Sequence, residues 1–146
     1  MDQGRYAEAE KSLREILEIK RRVLGPEHPS TLDTMNSLAV DFMDQSRYAE
    51  AEKLTRETLE IQRRVLGPES PGAALSIYNL GCLAARQGRR DEALSLLGQA
   101  VDHGLGPSLD LQMETDPDLK SLHGDPRFTV LVVHAKERAA AQQKLK

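Results

Sequence analysis

Tryptophan is absent, and the aromatic side chains stop at Tyr6, Tyr48, Tyr78, Phe42 and Phe128. So few rings leave no platform on which exposed bases stack, which argues against a single-strand nucleic-acid binder. A lone cysteine, Cys82, excludes an internal disulfide framework and fits a reducing compartment. No apolar run approaches the roughly 20 residues that a membrane-spanning helix needs. The start, Met1 followed by Asp2-Gln3-Gly4-Arg5, lacks the basic-then-apolar order of a signal peptide. Nor does one charge dominate: 20 Lys+Arg against 23 Asp+Glu leave a net charge of −3, a weak field for nucleic acid or an anionic membrane. What is present, 39% hydrophobic and 29% charged residues in 146, suffices for one core with a wet surface. The composition reads as soluble and cytoplasmic, with no nucleic-acid or membrane partner.

The organisation lies in repetition. Residues 1–29 (MDQGRYAEAEKSLREILEIKRRVLGPEHP) and 43–71 (MDQSRYAEAEKLTRETLEIQRRVLGPESP) align without a gap at an offset of 42, and 23 of the 29 pairs are identical. A weaker third copy begins where Gly88-Arg89-Arg90-Asp91-Glu92-Ala93 meets Ser46-Arg47-Tyr48-Ala49-Glu50-Ala51, again 42 residues on. Each unit holds two helical patterns. In residues 31–45, Met35, Leu38, Ala39 and Phe42 recur at i, i+3, i+4 and i+7, one stripe of a helix. In 48–66, Tyr48, Ala51, Leu54, Leu59, Ile61 and Val65 supply the small and apolar positions. Gln45-Ser46-Arg47 is short enough to force an antiparallel helix pair. Leu24-Gly25-Pro26 and Leu66-Gly67-Pro68 stop the longer helices, with glycine expected in a left-handed cap. No segment alternates as a strand does, so the fold class is all-α.

These helix–turn–helix units, with Ala51, Ala93 and Ala100 at the tight crossing, resemble tetratricopeptide repeats. The 42-residue period and the EAExLxRExLEIxRRVLGPExP pattern are similar to the kinesin-light-chain type common in bacterial proteins. The resemblance implies a right-handed α-α superhelix (a tetratricopeptide solenoid) closed by a C-terminal helical cap. It places the first-helix signature on Met35, Leu38, Ala39 and Phe42, then on Ile77, Leu80, Gly81 and Ala84. Thr55, Thr58 and Ala84 depart from the family pattern, which has larger apolar groups, alanine and an aromatic there. The expected division is 1–29 for a first repeat holding its second helix, 30–70 and 71–105 for two repeats, and 106–146 for capping helices.

The ends differ. Met1-Asp2-Gln3 match Met43-Asp44-Gln45, the close of a first helix, so the register begins inside a repeat. This start fits a piece of a longer array; a competing reading pairs the open apolar edge with a second copy as a homodimer. At the other end, Asp116-Pro117 and Asp125-Pro126 each offer an Asp cap before a helix-starting proline. A short helix near 119–122 and a long one over 126–143 are expected to follow, the latter burying Phe128, Leu131, Val132 and Ala135. Lys136, Arg138, Lys144 and Lys146 are expected to serve its C-terminus. This ending resembles the closure of bacterial tetratricopeptide proteins, including tails of serine/threonine protein kinases.

No catalytic, cofactor or metal constellation emerges. His28, His103, His123 and His134 have no metal-ligand spacing, and Cys82 has no cysteine pair. No glycine-rich phosphate loop is present, and Arg21-Arg22 and Arg63-Arg64 read as helix ends balanced by Glu18 and Glu60. The resemblance instead implies a concave groove lined by first helices and filled by a protein or peptide. Carried across by register, its candidate residues are Asp33, Asn36, Ser37, Val40 and Asp44 in one repeat. In the next they are Leu75, Tyr78, Asn79, Cys82 and Arg86. The expected function is non-catalytic protein–protein interaction, with a regulatory tail of a larger signalling enzyme and a self-association module as alternatives.

Overall fold

The structure, a computed structural model, describes residues 3–144, and all its regular elements there are helical. The expected role of Lys146 at a helix end therefore lies outside the described residues. The chain divides into two compact units, Met1–Gly67 and Pro68–Lys146.

The first unit holds α1 (Gln3–Val23), α2 (Pro29–Asp44) and α3 (Tyr48–Leu66). α2 packs on both α1 and α3. Its stripe of Met35, Leu38, Ala39 and Phe42 is buried as the periodicity predicts, joined by Leu17 of α1 and by Ala51 and Leu59 of α3. α2 begins two residues before the apolar pattern does. Pro29 takes the first turn, where its missing N–H costs nothing, and His28 accepts from Ser30 N at 3.1 Å as the N-cap. The turn into α3 passes through Ser46 at φ +60°, a left-handed conformation.

α3 corrects the expected stripe. Ala51, Thr55, Thr58, Leu59 and Gln62 are its buried residues, whereas Val65 is exposed. The two threonines that depart from the family pattern resolve their own polarity: Thr55 Oγ1 donates to Ala51 O at 2.8 Å and Thr58 Oγ1 to Leu54 O at 2.7 Å. The first two copies differ at Gly4/Ser46, Ser12/Leu54, Leu13/Thr55, Ile16/Thr58, Lys20/Gln62 and His28/Ser70. Three of those differences fall on the residues α3 buries. α3 ends at Gly67, whose φ of +96° meets an extended ψ of 156° instead of the expected left-handed cap.

The second unit holds α4 (Pro71–Arg86), α5 (Arg90–Asp102), α6 (Pro107–Gln112) and α7 (Pro126–Lys144), with 3-10 turns at Met113–Thr115 and Pro117–Leu122. α4 starts as α2 does: Pro71 follows Ser70, whose hydroxyl accepts from Ala73 N at 3.1 Å. α4 and α5 form the tight pair, with Ala93 and Ala100 fully buried. The expected short helix is a 3-10 segment packed on α4, and it buries Leu119 and Leu122. Asp116 and Asp125 cap as their position before proline predicts, accepting from Asp118 N and Arg127 N at 2.9 Å each. α7 packs on α6 and α5 through Phe128, Val132, Ala135 and Ala139, while Leu131 is half-buried.

Candidate functional site

Helical geometry decides where the groove residues go, one unit at a time. On α2, Asp33, Ser37, Val40 and Asp44 follow the i, i+4, i+7, i+11 spacing that keeps side chains on one line. Asp33, Ser37 and Asp44 are exposed and Val40 is half-buried. The run spans about 16 Å at 1.5 Å per residue. Asn36 lies off that line and is buried, 4% exposed. Close to the Asp44 end, Gln45 donates to Asp41 at 2.8 Å. Burial holds the Asp41 carboxyl above its ordinary range against that hydrogen bond, and Glu10 and Asp44 repel its charge further.

The neighbouring turn is tied down. Arg47 donates to Glu10 of α1 at 2.5 Å and to Glu50 of α3 at 2.6 Å, with its guanidinium 4.4 Å from the Phe42 ring centre. Burial alone raises the Glu10 carboxyl, but hydrogen bonds from Arg14, Gln45 and Arg47 outweigh it and hold the group below its ordinary value. Arg64 pairs with Glu27, not with the expected Glu60.

α4 presents its set differently. Tyr78, Asn79 and Cys82 are buried, and Leu75 and Arg86 are half-buried. The 42-residue offset also matches Asn36 with Tyr78 and Ser37 with Asn79, so the two asparagines are not counterparts. The chain's own acidic turn lies against this face. Tyr78 donates to Asp116 Oδ2 at 2.5 Å, Arg86 pairs with Asp118 at 3.5 Å, and Ser121 donates to Ala85 O at 3.2 Å. Cys82 Sγ and one carboxylate oxygen each of Asp116 and Asp118 lie within 4.8 Å of one another. Sequence spacing missed that meeting because it treats Asp116 as a cap alone and gives Asp118 no role. Burial, then the two carboxylates, push the Cys82 thiol well up, so it stays protonated. Burial likewise raises Tyr78, and the hydrogen bond to Asp116 with that carboxylate's charge adds to the rise.

A cleft of about 600 Å³ opens at the turn between α4 and α5, where Arg89, Arg90 and Arg127 converge. Carboxylates balance them: Arg89 bonds Glu92 at 2.7 Å, and Arg127 bonds Asp91 at 2.8 Å and Asp125 at 3.0 Å. Arg90 lies 4.0 Å from Asp125. Sequence reasoning did not foresee the cleft. It is lined by the turn residues Gly88 to Glu92 together with Ser121 and Arg127, which lie 29 or more residues further along the chain.

Antiparallel helix pairs in a 42-residue register, with alanines at each crossing, define a helical-repeat protein. A family model described as tetratricopeptide repeat matches residues 1–54 and 36–103. The chain belongs to the tetratricopeptide repeat family. Among solved structures it is similar to BtubC (BKLC) from P. vanneervenii, at 23% identity and a TM-score of 0.73, covering 96% of this chain and 59% of that one. It is also similar to a putative kinesin light chain with nearly identical TPR-like repeats from Podosopora anserina, at 26% identity and a TM-score of 0.63, covering 99% and 70%. A point variant of that protein matches at a TM-score of 0.62. The chain thus spans 59% of the length of BtubC. No curated protein sequence matches it. The tetratricopeptide fold is in general a mediator of protein–protein contact, and no helix among the described residues is long and apolar enough to cross a membrane.

Proposed function

We propose that the chain is a non-catalytic interaction module and that the outward line of α2 receives a segment of a partner protein in the concave groove. The observation that carries this reading is the line itself: Asp33, Ser37 and Asp44 exposed on one face, with Val40 between them. Two carboxylates about 16 Å apart favour a partner segment carrying lysine or arginine at matching spacing. The corresponding face of α4, with Tyr78, Cys82 and Arg86, is engaged by Asp116 and Asp118. Recognition in this reading therefore falls on α2, with Asn36 buried to one side of the line. A cytoplasmic setting fits the single, buried thiol.

Isothermal titration with a synthetic twelve-residue lysine-rich peptide, and with its glutamate-rich counterpart, tests the proposal. The lysine peptide is expected to bind and the glutamate peptide not. Asp33→Asn/Asp44→Asn, with an unchanged helical circular-dichroism spectrum, should weaken capture by about tenfold or more. Equal binding of both peptides, or undiminished capture by the variant, overturns it.

A second reading has its own observation. On α1, Ile16, Ile19 and Val23 are 42%, 51% and 70% exposed at i, i+3 and i+7. Thr58, the counterpart of Ile16 on α3, is fully buried. Such an apolar line supports self-association of two copies through α1.

A further inference from the structure

Asp110 lies at the middle of α6, is 1% exposed, and has no hydrogen-bond partner for either carboxylate oxygen among the described residues. α6 packs on α7 and on the 3-10 turn Met113–Thr115. α7 offers a polar line of its own, His134, Arg138 and Gln142 at i, i+4 and i+8. Arg138 Nε and Gln142 Oε1 are buried and likewise unpartnered among the described residues. His134 is committed elsewhere, its Nε2 standing 2.9 Å from Asp102 Oδ1. Arg138, expected from the sequence to serve the helix C-terminus, is half-buried well before the helix ends. The 3-10 turn contributes Glu114, which is exposed and held by Lys136 at 2.6 Å. A carboxylate enclosed without a donor is among the costliest groups to bury, whereas its neutral acid is tolerated far better.

We propose that Asp110 is a proton-operated latch, which seats α6 on α7 while its carboxyl is neutral and releases α6 when the proton leaves to solvent. α6 has six residues, too few to persist as a helix by itself, so its place depends on this packing. Burial pushes the Asp110 carboxyl up to about 6, against the opposing charges of Arg138 and His134. Its ordinary value is 3.8, and opening α6 returns the carboxyl to water. The sign follows from the direction of that shift. Closure is favoured most below pH 3.8, weakens as pH rises towards 6, and reaches its floor above that. Opening uncovers the part of α7 on which α6 packs.

Hydrogen exchange on the full chain reads the latch directly. The amides of Asp110 and Met113, which donate to Gly106 O and Leu109 O, report α6. After correction for intrinsic exchange, their protection is expected to fall about tenfold between pH 5 and pH 7.5. Asp110→Asn should abolish that slope and keep protection high. Flat or rising protection in the native chain, or the same slope in Asp110→Asn, overturns the proposal. Should the variant not fold, carbon-13 titration of the Asp110 carboxyl in the native chain decides. A midpoint near 6 supports the latch; one at or below an ordinary carboxylate value overturns it.

Discussion

The two complete repeats solve one packing problem with different residues. A Cβ on Gly81 would lie 2.9 Å from Leu97 Cγ and Cδ2, and Leu97 is fully buried. The 42-residue offset puts Ala39 and Thr55 at the same two positions, so the bulk moves from one helix to the other. Gly81→Ala is expected to cost about 1–3 kcal/mol by overpacking. Adding Leu97→Thr, whose hydroxyl has the same helical carbonyl to bond as Thr55, should return part of that loss. A thermal-melt double-mutant cycle measures the coupling, and strict additivity contradicts the exchange of volume. A second residue gives the opposite sign. Ser46 sits at φ +60° where the third copy has Gly88 at φ +78°, so Ser46→Gly should stabilise the first unit by about 1 kcal/mol in chemical denaturation. Alanines and the Met35–Phe42 stripe were legible from spacing because periodicity records which face is inward. The buried Thr55, Thr58 and Gln62 were not, because their polarity is answered by backbone and neighbours that a linear pattern does not display.

At the scale of elements, the caps and joints were legible to different degrees. Proline after aspartate marked Asp116 and Asp125 as caps, whereas His28 and Ser70, which cap α2 and α4, were not singled out as such from the sequence. Their signal was the same, a polar side chain before proline, but histidine is an uncommon cap. The joint between α1, α2 and α3 depends on Arg47, which links Glu10 to Glu50 over the Phe42 ring. Arg47→Ala should destabilise the first unit by about 1–3 kcal/mol at neutral pH, since it leaves the partly buried Glu10 with fewer donors. Because Glu10 titrates below its ordinary value, that stabilisation is present above the ordinary carboxylate range. It is lost as pH falls through the lowered value. Urea midpoints at pH 7 and pH 3 check this: the gap between native and variant should narrow in acid. The candidate groove was legible only as register. Helix periodicity placed Asp33, Ser37, Val40 and Asp44 on one line, but nothing local announced that residues 116–121 come to lie against Tyr78, Ala85 and Arg86, some 32 to 38 residues away.

For the whole molecule, the exposed line of α1 makes association a question of concentration. Sedimentation equilibrium should show reversible dimerisation if Ile16, Ile19 and Val23 pair with a second copy, and Ile16→Lys/Ile19→Lys should shift it to monomer. A native chain that stays monomeric at high concentration removes that reading and leaves the α2 proposal intact. The near-duplication of α1 and α3 has a further cost during folding. A newly made α2 meets two almost identical helices, and either one docked on the wrong side is a kinetic trap of the kind to which repeat proteins are prone. The differences Leu13/Thr55, Ile16/Thr58 and Lys20/Gln62 are expected to break this degeneracy. A space shaped for two threonines rejects leucine and isoleucine by bulk. Lys20, in turn, donates to Thr34 Oγ1 at 2.9 Å and to Ser30 O at 3.3 Å on the start of α2, whereas its counterpart Gln62 is buried on α3. On this account, making the copies identical is expected to slow refolding even where each helix remains intact, which stopped-flow refolding of the two chains would measure.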